Sequence, residues 1–391
     1  MTAGLPPGSQ SESAFHRFGN PARFNPLEIC SSRDEWVYGL SEQLVSQKVN
    51  FLCNVYEKDR EKLRRGGSTI SVADLDYSIK WTRSVKINLQ ADRRLNPTSG
   101  HIVQSAYRPF ISSFLHFNGQ LVEVQYQQVR LFGASGSFPN SVIVFTDAGS
   151  QKEFMVQAVT RVFDYHFVGA ASAGVGLPIY RYTPAGERID NITDWGLKQF
   201  QARYGKAAGI TRDTIFAYVY GVLHDPLYRE TYAQNLKRDL PRIPLHDDFA
   251  RWAAWGQELL DLHIGYEAVE PFGLTRTDVA DAKARAAGVA PKPILKSDAA
   301  AGVIRIDGET TLSGIPPAAF TYLLGNRSGL DWVLDQYREK TPKDPTIREK
   351  FNTYRFADYK EHVIDLLARV TTVSLRTVEI VAAMRTLREK G

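Results

Sequence analysis

The chain has 391 residues, and a length of that order suggests two or three domains. Hydrophobic residues make up 43% of it and charged residues 23%, an ordinary globular composition that excludes a chain disordered throughout. The 48 Lys and Arg outnumber the 43 Asp and Glu, and the resulting net charge of +5 permits a polyanionic partner without requiring one.

The first 26 residues contain a Pro-Pro-Gly and a Ser/Gln/Glu cluster and are predicted to be a flexible lead. They lack a basic start followed by an apolar run, so we do not expect a signal peptide. No stretch approaches the roughly eighteen apolar residues of a transmembrane helix. Two cysteines, Cys30 and Cys53, are too few for a disulfide framework and fit a reducing cytoplasm, which is where we expect the protein.

Residues 27–189 are predicted to be a mixed, β-rich part, with one helix over residues 41–63. The strongest hairpin signal is the Asn-Gly pair at residues 118–119, which lies between two aromatic and β-branched runs. The apolar run SVIVFT at residues 141–146 predicts a buried strand. Residues 177–182 predict another strand, with proline near its start.

Residues 190–391 are predicted to be mainly helical. Thr193 can cap a helix that ends near Gly205, and apolar residues recur at helical spacing further along, over residues 215–222, 249–263 and 363–384. Weak periodicity over residues 265–300 predicts a connector, followed by a hairpin that turns at residues 307–308. The sequence thus predicts an α+β fold, with a β-rich N-terminal half containing hairpins and a mainly helical C-terminal half.

Several catalytic motifs are missing. The sequence has no Walker A loop, no dinucleotide-binding glycine pattern, no H-E-x-x-H or C-x-x-C metal pattern and no G-x-S-x-G elbow. An amino-methyltransferase also needs an Asx-Pro-Pro-aromatic loop for the flipped base, and the Asn-Pro pairs at residues 20–21 and 25–26 lack the second proline. We therefore expect no catalytic residue, no metal and no cofactor in this chain.

Three polar positions have simple structural interpretations. Asp247-Asp248 follows a loop and fits a helix N-cap and first turn better than a catalytic pair. His263 lies on an apolar helix stripe, which favours a hydrogen-bonded core histidine over a metal ligand. His224 closes a helix, where a cation is favoured by the helix dipole.

Basic residues interleave with aromatic and amide side chains in five places, at residues 58–65, 80–94, 107–110, 326–328 and 336–343. Arg and Lys neutralise phosphates, and Arg, Asn and Gln can read base edges. The run at residues 58–65 ends a helix and fits a solvated face. The run at residues 80–94 carries five basic residues against one carboxylate, so a binding role and a solvated face are equally good interpretations.

A series of strings in a fixed order resembles one known family. The strings are RDEWVY (33–38), YRPF (107–110), DNITDW (190–195), FAYVYGVLHDPLYR (216–229), NLKRDLPRIP (235–244), LHIGYE (262–267), YLLGNRSGLDWVLDQY (322–337) and VTTVSL (370–375). They are similar to the C-terminal specificity (target recognition) domain of Type ISP restriction–modification enzymes. The first two resemble the stretch that joins this domain to the adenine methyltransferase. The resemblance spans roughly residues 30–385, and its specificity comes from the ordered set of strings.

The resemblance implies a reader rather than a catalyst. In that family one polypeptide carries a nuclease, a translocating ATPase, an N6-adenine methyltransferase and this reader. The resemblance implies two partners, which are double-stranded DNA and a methyltransferase/translocase/nuclease polypeptide or module. The chain departs from the full pattern because it lacks the ATPase, nuclease and methyl-donor motifs.

The resulting hypothesis is sequence-specific binding of duplex DNA in the major groove. Phosphate contacts are assigned to Lys80, Arg83, Lys86, Arg93 and Arg94. Base reading, or shaping of the reading loop, is assigned to Arg108, Arg327 and Gln336. Arg338 and Lys343, from the last basic run, complete the candidate DNA-binding residues. A buried arginine that ties two helices together is an equally good interpretation of Arg327.

Two other functions stay open at this point. A degenerate N6-adenine DNA methyltransferase would need a methyl-donor pocket in a parallel sheet with a glycine-rich first turn. A protein-interaction subunit would pack its helical half on a separately encoded methyltransferase, and a large exposed apolar patch would favour it.

Overall fold

The computed structural model describes residues 29–66, 72–97, 101–150, 152–169, 173–205 and 209–390. The flexible lead expected at residues 1–26 lies outside these ranges. Strands are concentrated between residues 101 and 190 and helices dominate after residue 190, which confirms the predicted α+β class. The division into parts at residues 26/27 and 189/190 stays a prediction. Within the described ranges, no helix is long and apolar enough to cross a lipid bilayer.

The secondary structure alternates short and long elements along the chain. The helices are α1 (Asp34–Val37), α2 (Glu42–Gly66), α3 (Arg83–Gln90), α4 (Gln128–Phe132), α5 (Asp194–Tyr204), α6 (Arg212–Val222), α7 (Pro226–Thr231), α8 (Ala233–Leu236), α9 (Phe249–Ile264), α10 (Ala282–Ala287), α11 (Gly329–Gln336) and α12 (Lys360–Lys390). The strands are β1 (Tyr38–Gly39), β2 (His101–Arg108), β3 (Ile111–Phe117), β4 (Val142–Thr146), β5 (Val156–Val159), β6 (Val162–Phe163), β7 (Gly174–Pro178), β8 (Tyr180–Tyr182), β9 (Arg188–Asp190), β10 (Thr275–Asp278), β11 (Pro293–Asp298), β12 (Val303–Asp307), β13 (Thr310–Ser313), β14 (Leu323–Leu324) and β15 (Arg327–Ser328).

Two sheets form most of the β-rich part, in the orders β1-β3-β2-β6 and β5-β4-β7. The predicted strand at residues 141–146 is confirmed as β4, which is buried along its whole length. Val142 and Val144 lie in one hydrophobic core, whereas Ile143 and Phe145 lie in a second. A strand buried on both faces must be apolar throughout, and this explains its unbroken apolar run.

The pairing of β6 with β2 is the one parallel pairing among the named strands. It extends over two residue pairs only, and the other named strand pairs are antiparallel. The described residues therefore form no open parallel sheet of the kind that a methyl-donor pocket of a degenerate methyltransferase would need.

The hairpin predicted at residues 118–119 is wrong. β3 pairs with the preceding strand β2 instead, and the chain turns there through Phe110 at a φ of +60°. Residues 121–126 form a loop in which Val124 and Cys30 exchange backbone hydrogen bonds of 2.9 and 3.0 Å. Leu121 and Val122 of this loop are buried and Val124 and Tyr126 are exposed, and a contact with a segment more than ninety residues earlier replaces the local pairing.

The segment 265–300, predicted to be a connector, contains β10, α10 and β11. These two strands join β12 and β13 in a sheet ordered β10-β13-β12-β11, where the hairpin predicted at residues 307–308 is confirmed. The prediction missed these elements because they bury almost nothing. Every residue of β10 is exposed, and α10 and β11 bury one residue each, Ala284 and Leu295.

One long helix contributes to both hydrophobic cores. The first half of α12 places Val363 and Val370 in the core shared with α2, β3 and α11. Its second half places Ile380 and Met384 in the core built around α6 and α9. Because α12 is one continuous helix of 31 residues, it fixes the two cores relative to each other.

The tightest helix pair is α6 against α9. A Cβ built on Gly256 would lie 1.7 Å from the carbonyl oxygen of Ala217, and one built on Gly221 would lie 2.6 Å from that of Trp252. Only glycine lets the two backbones approach this closely. The pair buries Tyr218 and Tyr220 completely.

His263 is a hydrogen-bonded core histidine, as predicted. The hydroxyl of Thr377 donates to the carbonyl of Val373 at 2.8 Å, so its oxygen accepts from Nε2–H of His263 at 2.9 Å. Nδ1 of His263 therefore accepts from the hydroxyl of Tyr220 at 2.5 Å, whose oxygen in turn accepts from the backbone N–H of Ala158 at 2.9 Å. This chain of bonds joins α9, α6, α12 and β5 and requires a neutral imidazole.

Gly256→Ala is expected to lower the free energy of unfolding by about 1–3 kcal/mol or more, because the new methyl group must push α6 and α9 apart. Urea denaturation measures the change. The matched control is Gly273→Ala, since nothing lies within 4 Å of its Cβ position. The control should stay within about 0.5 kcal/mol of the unaltered chain. Equal effects of the two substitutions would contradict the close packing at Gly256.

Stability is expected to fall as the pH drops below about 6.5. Burial, and secondarily the charge of Arg229, lower the pKa of His263 from 6.5 to about 3. Between those two pH values, His263 is protonated in the unfolded chain and neutral in the folded chain. Its contribution to the free energy of unfolding is therefore complete above pH 6.5 and is lost as the pH falls toward 3. Urea denaturation at several pH values should show a shallower loss for His263→Gln than for the unaltered chain. Identical slopes would refute the assignment.

Candidate nucleic-acid interface

A cleft of about 600 Å³ lies beside the first described residues. Its walls include residues 29–36, residues 164–166 and two lysines from distant parts of the sequence, Lys80 and Lys343. Both belong to the predicted DNA-binding residues, one from the run at residues 80–94 and one from the run at residues 336–343. The fold thus brings the two cleft lysines, as we call this pair, to one concave surface.

The loop carrying Lys343 is held against α1. The carboxylate of Glu35 accepts hydrogen bonds from the backbone N–H groups of Lys343 and Asp344, at 2.8 and 2.9 Å. The indole N–H of Trp36 donates to the carboxylate of Asp344 at 2.8 Å. Trp36 is fully buried, so this loop is anchored to the core rather than only to the surface.

A buried cation, Arg33, lies beneath the start of α3. Its guanidinium donates to the hydroxyl groups of Thr82 and Ser84 and is 3.6 Å from the carboxylate of Glu123. Nε and Nη1 have no hydrogen-bond partner among the described residues. Burial lowers the pKa of Arg33 to about 10 although Glu123 opposes the shift, so the side chain keeps its charge near neutral pH.

The carboxylates around the cleft are used inside the fold. Asp34 accepts hydrogen bonds from the hydroxyl groups of Ser31 and Tyr107. Asp164 forms an ion pair with Arg108 at 2.6 Å. By contrast, the cleft lysines form no ion pair with any described residue. The lining also includes four carboxylates, those of Asp34, Glu35, Asp164 and Asp344, so the cleft carries both signs of charge, and the two lysines are the cations in it without a carboxylate in contact among the described residues.

Helix α3 carries two more of the predicted cations. Arg83 is exposed and Lys86 is partly exposed, and residues three apart in a helix lie on one side of it. Val85 and Leu89 lie in the core and fix which side faces outward. Neither Arg83 nor Lys86 forms an ion pair with a described residue.

The two arginines after α3 differ from each other. Arg93 is exposed and its guanidinium has no described carboxylate partner, whereas Arg94 lies 3.4 Å from Glu57 with 75% of its side chain exposed. The basic run at residues 58–65 is paired more thoroughly, for example through Lys62 and Asp59 at 2.6 Å. Internal pairing of this kind supports the interpretation of that run as a solvated face.

Arg108 serves the fold in this structure. Only 12% of its side chain is exposed, its guanidinium pairs with buried Asp164, and it lies 4.0 Å from the ring centroid of Tyr107. The carboxylate of Asp164 is itself fixed by the backbone N–H of His166 at 2.9 Å. This geometry favours the second of the two roles assigned to Arg108, shaping of a loop rather than direct base reading.

Arg327 and Gln336 converge on one carboxylate, that of Asp335. Arg327 lies 3.0 Å and the amide nitrogen of Gln336 lies 3.1 Å from it, and Lys340 joins them at 3.6 Å. The guanidinium of Arg327 also lies 5.2 Å from the ring centroid of Trp332. With 42% of its side chain exposed, Arg327 is partly accessible and is not the buried helix tie considered as the alternative.

The remaining candidate, Arg338, donates to the carbonyl of Leu295 at 3.3 Å and so ties the end of α11 to β11. Two cations near these residues were missed by sequence reasoning, Arg33 as a cleft residue and Lys152. No local pattern marks Lys152, because it stands outside every basic run. Within the described ranges, no group of three or more His, Cys, Asp or Glu could hold a metal ion, and both cysteines are free.

The chain resembles known proteins in sequence and in fold. The family described as Type ISP C-terminal specificity domain matches residues 26–366. The cryo-EM structure of a DrdV–DNA complex is 43% identical in sequence, with a TM-score of 0.85, and the match covers 96% of this chain and 36% of that one. A nuclease-deletion mutant of the Type ISP restriction–modification enzyme LlaGI, in complex with a DNA substrate mimic, is 28% identical, with a TM-score of 0.78 and coverage of 96% and 33%.

A third structure supports the fold alone. The ATP-dependent Type ISP restriction–modification enzyme LlaBIII bound to DNA is 21% identical, with a TM-score of 0.77 and coverage of 95% of this chain and 24% of that one. No match is found among curated protein sequences. The chain spans well under half the length of each of these three proteins.

Glu35→Ala is expected to release the loop that carries Lys343, because it removes the acceptor of two backbone hydrogen bonds. Hydrogen bonds to a charged group contribute about 1.5–3 kcal/mol each. Amide hydrogen exchange at Lys343 and Asp344 should accelerate strongly. The matched control is Glu349→Ala, an exposed glutamate without a described partner. Unchanged exchange at both amides in the Glu35 variant would show that Glu35 does not hold the loop.

Proposed function

This chain belongs to the family of Type ISP C-terminal specificity domains, and we propose that it recognises a target sequence in double-stranded DNA for a Type ISP restriction–modification system. Four of the five predicted phosphate-contact residues carry the proposal. Lys80, Arg83, Lys86 and Arg93 are at least partly exposed and form no ion pair with a described residue. Their charge is thus available to an anion from outside the molecule.

Duplex DNA is the polyanion that fits such a surface. Its closely spaced phosphates reward every cation placed along them, because each neutralised phosphate releases bound counterions. The cleft lysines and the exposed side of α3 supply this sequence-independent part of the binding. Arg327 and Gln336, held together at Asp335, are the residues proposed to meet the duplex beside it, and Arg108 supports a loop near the cleft.

Catalysis is proposed to lie in other modules. The match to the DrdV and LlaGI structures covers 36% and 33% of those chains, so proteins of this kind carry large regions that have no counterpart here. A methyltransferase, translocase and nuclease, on the same polypeptide or on a separate one, would act at the site that this module selects. Such a system acts on DNA in the cytoplasm.

Neutral substitution of the α3 region tests the proposal. A chain carrying Lys80→Gln, Arg83→Gln and Lys86→Gln should bind a mixed-sequence DNA duplex more weakly. The slope of log affinity against log salt concentration should fall by about 0.9 for each phosphate that the variant no longer neutralises. The same weakening is expected on duplexes of unrelated sequence, because phosphate contacts carry no sequence information. Fluorescence anisotropy over a salt series measures both quantities.

The control removes equal charge from the self-paired end of α2, through Lys62→Gln, Arg64→Gln and Arg65→Gln. It should leave the slope nearly unchanged. Equal slopes for the two triple variants would refute the phosphate assignment. Selection of bound duplexes from a random pool tests recognition itself, and a pool in which no sequence is enriched would contradict a specificity role.

A further inference from the structure

Lys152 stands out among the cations because two others, Arg327 and Arg108, lie close enough to affect its charge. It lies in the loop before β5, and its ammonium group forms no ion pair or hydrogen bond with a described residue. Partial burial, followed by the nearby charges of Arg327 and Arg108, lowers its pKa. A lysine in this position without a carboxylate raises the free energy of the unbound protein, and an anion that no described residue supplies would lower it.

The ammonium group of Lys152 lies against a glycine that also borders Trp332. A Cβ built on Gly169 would lie 2.5 Å from Nζ of Lys152 and 3.5 Å from Cη2 of Trp332. Gly169 has a φ of +110°, a conformation that L side chains rarely adopt. The absence of a side chain at this position therefore leaves the space that the ammonium group occupies.

Trp332 connects this ammonium group to Arg327, whose guanidinium lies over the indole ring. The indole N–H donates to the carbonyl of Leu324 at 2.9 Å, and the side chain is 4% exposed, so the ring is a fixed support. Arg327 lies over this ring, and the ring and the ammonium group of Lys152 border the same glycine. The guanidinium of Arg327 is already held by Asp335 and by this ring, so it does not have to be ordered when a ligand arrives, which limits the entropic cost of binding.

The carboxylates nearby are already shared. Asp335 serves Arg327, Lys340 and Gln336, and Asp164 serves Arg108. Among these cations, Lys152 is the one that contacts no carboxylate of a described residue. An anion bound here would meet one unpaired ammonium group and one half-exposed guanidinium.

We propose that Lys152 and Arg327, supported by Gly169 and Trp332, bind a backbone phosphate of the recognised duplex. The inference rests on the proposed function and adds a contact outside the runs of basic sequence. It makes Arg327 a phosphate contact rather than a base reader. A guanidinium that Asp335 and Trp332 hold in place can present its outer N–H groups to a phosphate oxygen, while Lys152 supplies a point charge beside it.

The test is Lys152→Met in the full chain, which keeps most of the stem and removes the charge. Binding to two mixed-sequence duplexes of unrelated sequence is measured over a salt series. The slope of log affinity against log salt should fall by about 0.9 on both duplexes, so the affinity ratio between 50 and 200 mM salt shrinks about threefold. Thermal stability should be unchanged or higher, because a repelled charge has been removed.

The matched control is Lys198→Met, which removes an exposed, unpaired lysine from α5. Equal slopes for the Lys152 and Lys198 variants would overturn the phosphate site while the proposed function stands. A weakening confined to one of the two duplexes would overturn it in favour of base reading. If the unaltered chain binds neither duplex, both the proposed function and this phosphate site are refuted. Arg327→Met serves as the second variant and should lower the slope in the same way on both duplexes.

Discussion

The close packing of two side chains on Gly329 is the constraint that joins the β2–β3 turn, α12 and the start of α11 beside two of the candidate arginines. A Cβ at Gly329 would lie 2.9 Å from the ring of Phe110 and 3.2 Å from Val370. Only glycine therefore lets the β2–β3 turn and α12 come this close to the start of α11. Arg108 and Arg327 lie two residues before Phe110 and Gly329 respectively, and both are close enough to Lys152 to lower its pKa. At the contact with Gly329, Phe110 has a φ of +60°, which is a costly backbone conformation for a bulky residue.

The distribution of ion pairs separates structural cations from those available to a ligand. Arg60, Arg108 and Lys360 pair with carboxylates at buried or half-buried positions and hold elements together. The cleft lysines and the cations of α3 have no such partner in the described part of the chain, although the sequence contains almost as many acidic as basic residues. A modest net charge of +5 therefore conceals a surface on which positive charge is locally uncompensated. Overall charge is a weak guide to binding for this reason.

Local signals predicted local structure well. The hydroxyl of Thr193 accepts from the backbone N–H of Gly196 at 3.0 Å, and the carboxylate of Asp248 accepts from that of Arg251 at 3.1 Å, so both predicted caps are confirmed. The hairpin prediction from the Asn-Gly pair at residues 118–119 was wrong because strand pairing depends on both strands, and β3 pairs along its length with β2. The strands within residues 265–300 were not predicted because exposed strands have no apolar pattern in the sequence. For the site, five cations on and around α3 were visible as a run, whereas Lys152 was not.

By itself, the sequence determined the α+β order, the helices with their caps and apolar stripes, the absence of familiar catalytic motifs and the strings that indicate the family. Each of these is encoded within a few neighbouring residues. Only the tertiary structure decided which strands pair, that Lys80 and Lys343 line one cleft, and which cations keep a carboxylate. These outcomes depend on contacts such as that between Trp36 and Asp344, which lie 308 positions apart. Whether a cation is paired depends on which carboxylates lie near it in the folded chain, and the order of residues in the sequence does not determine this.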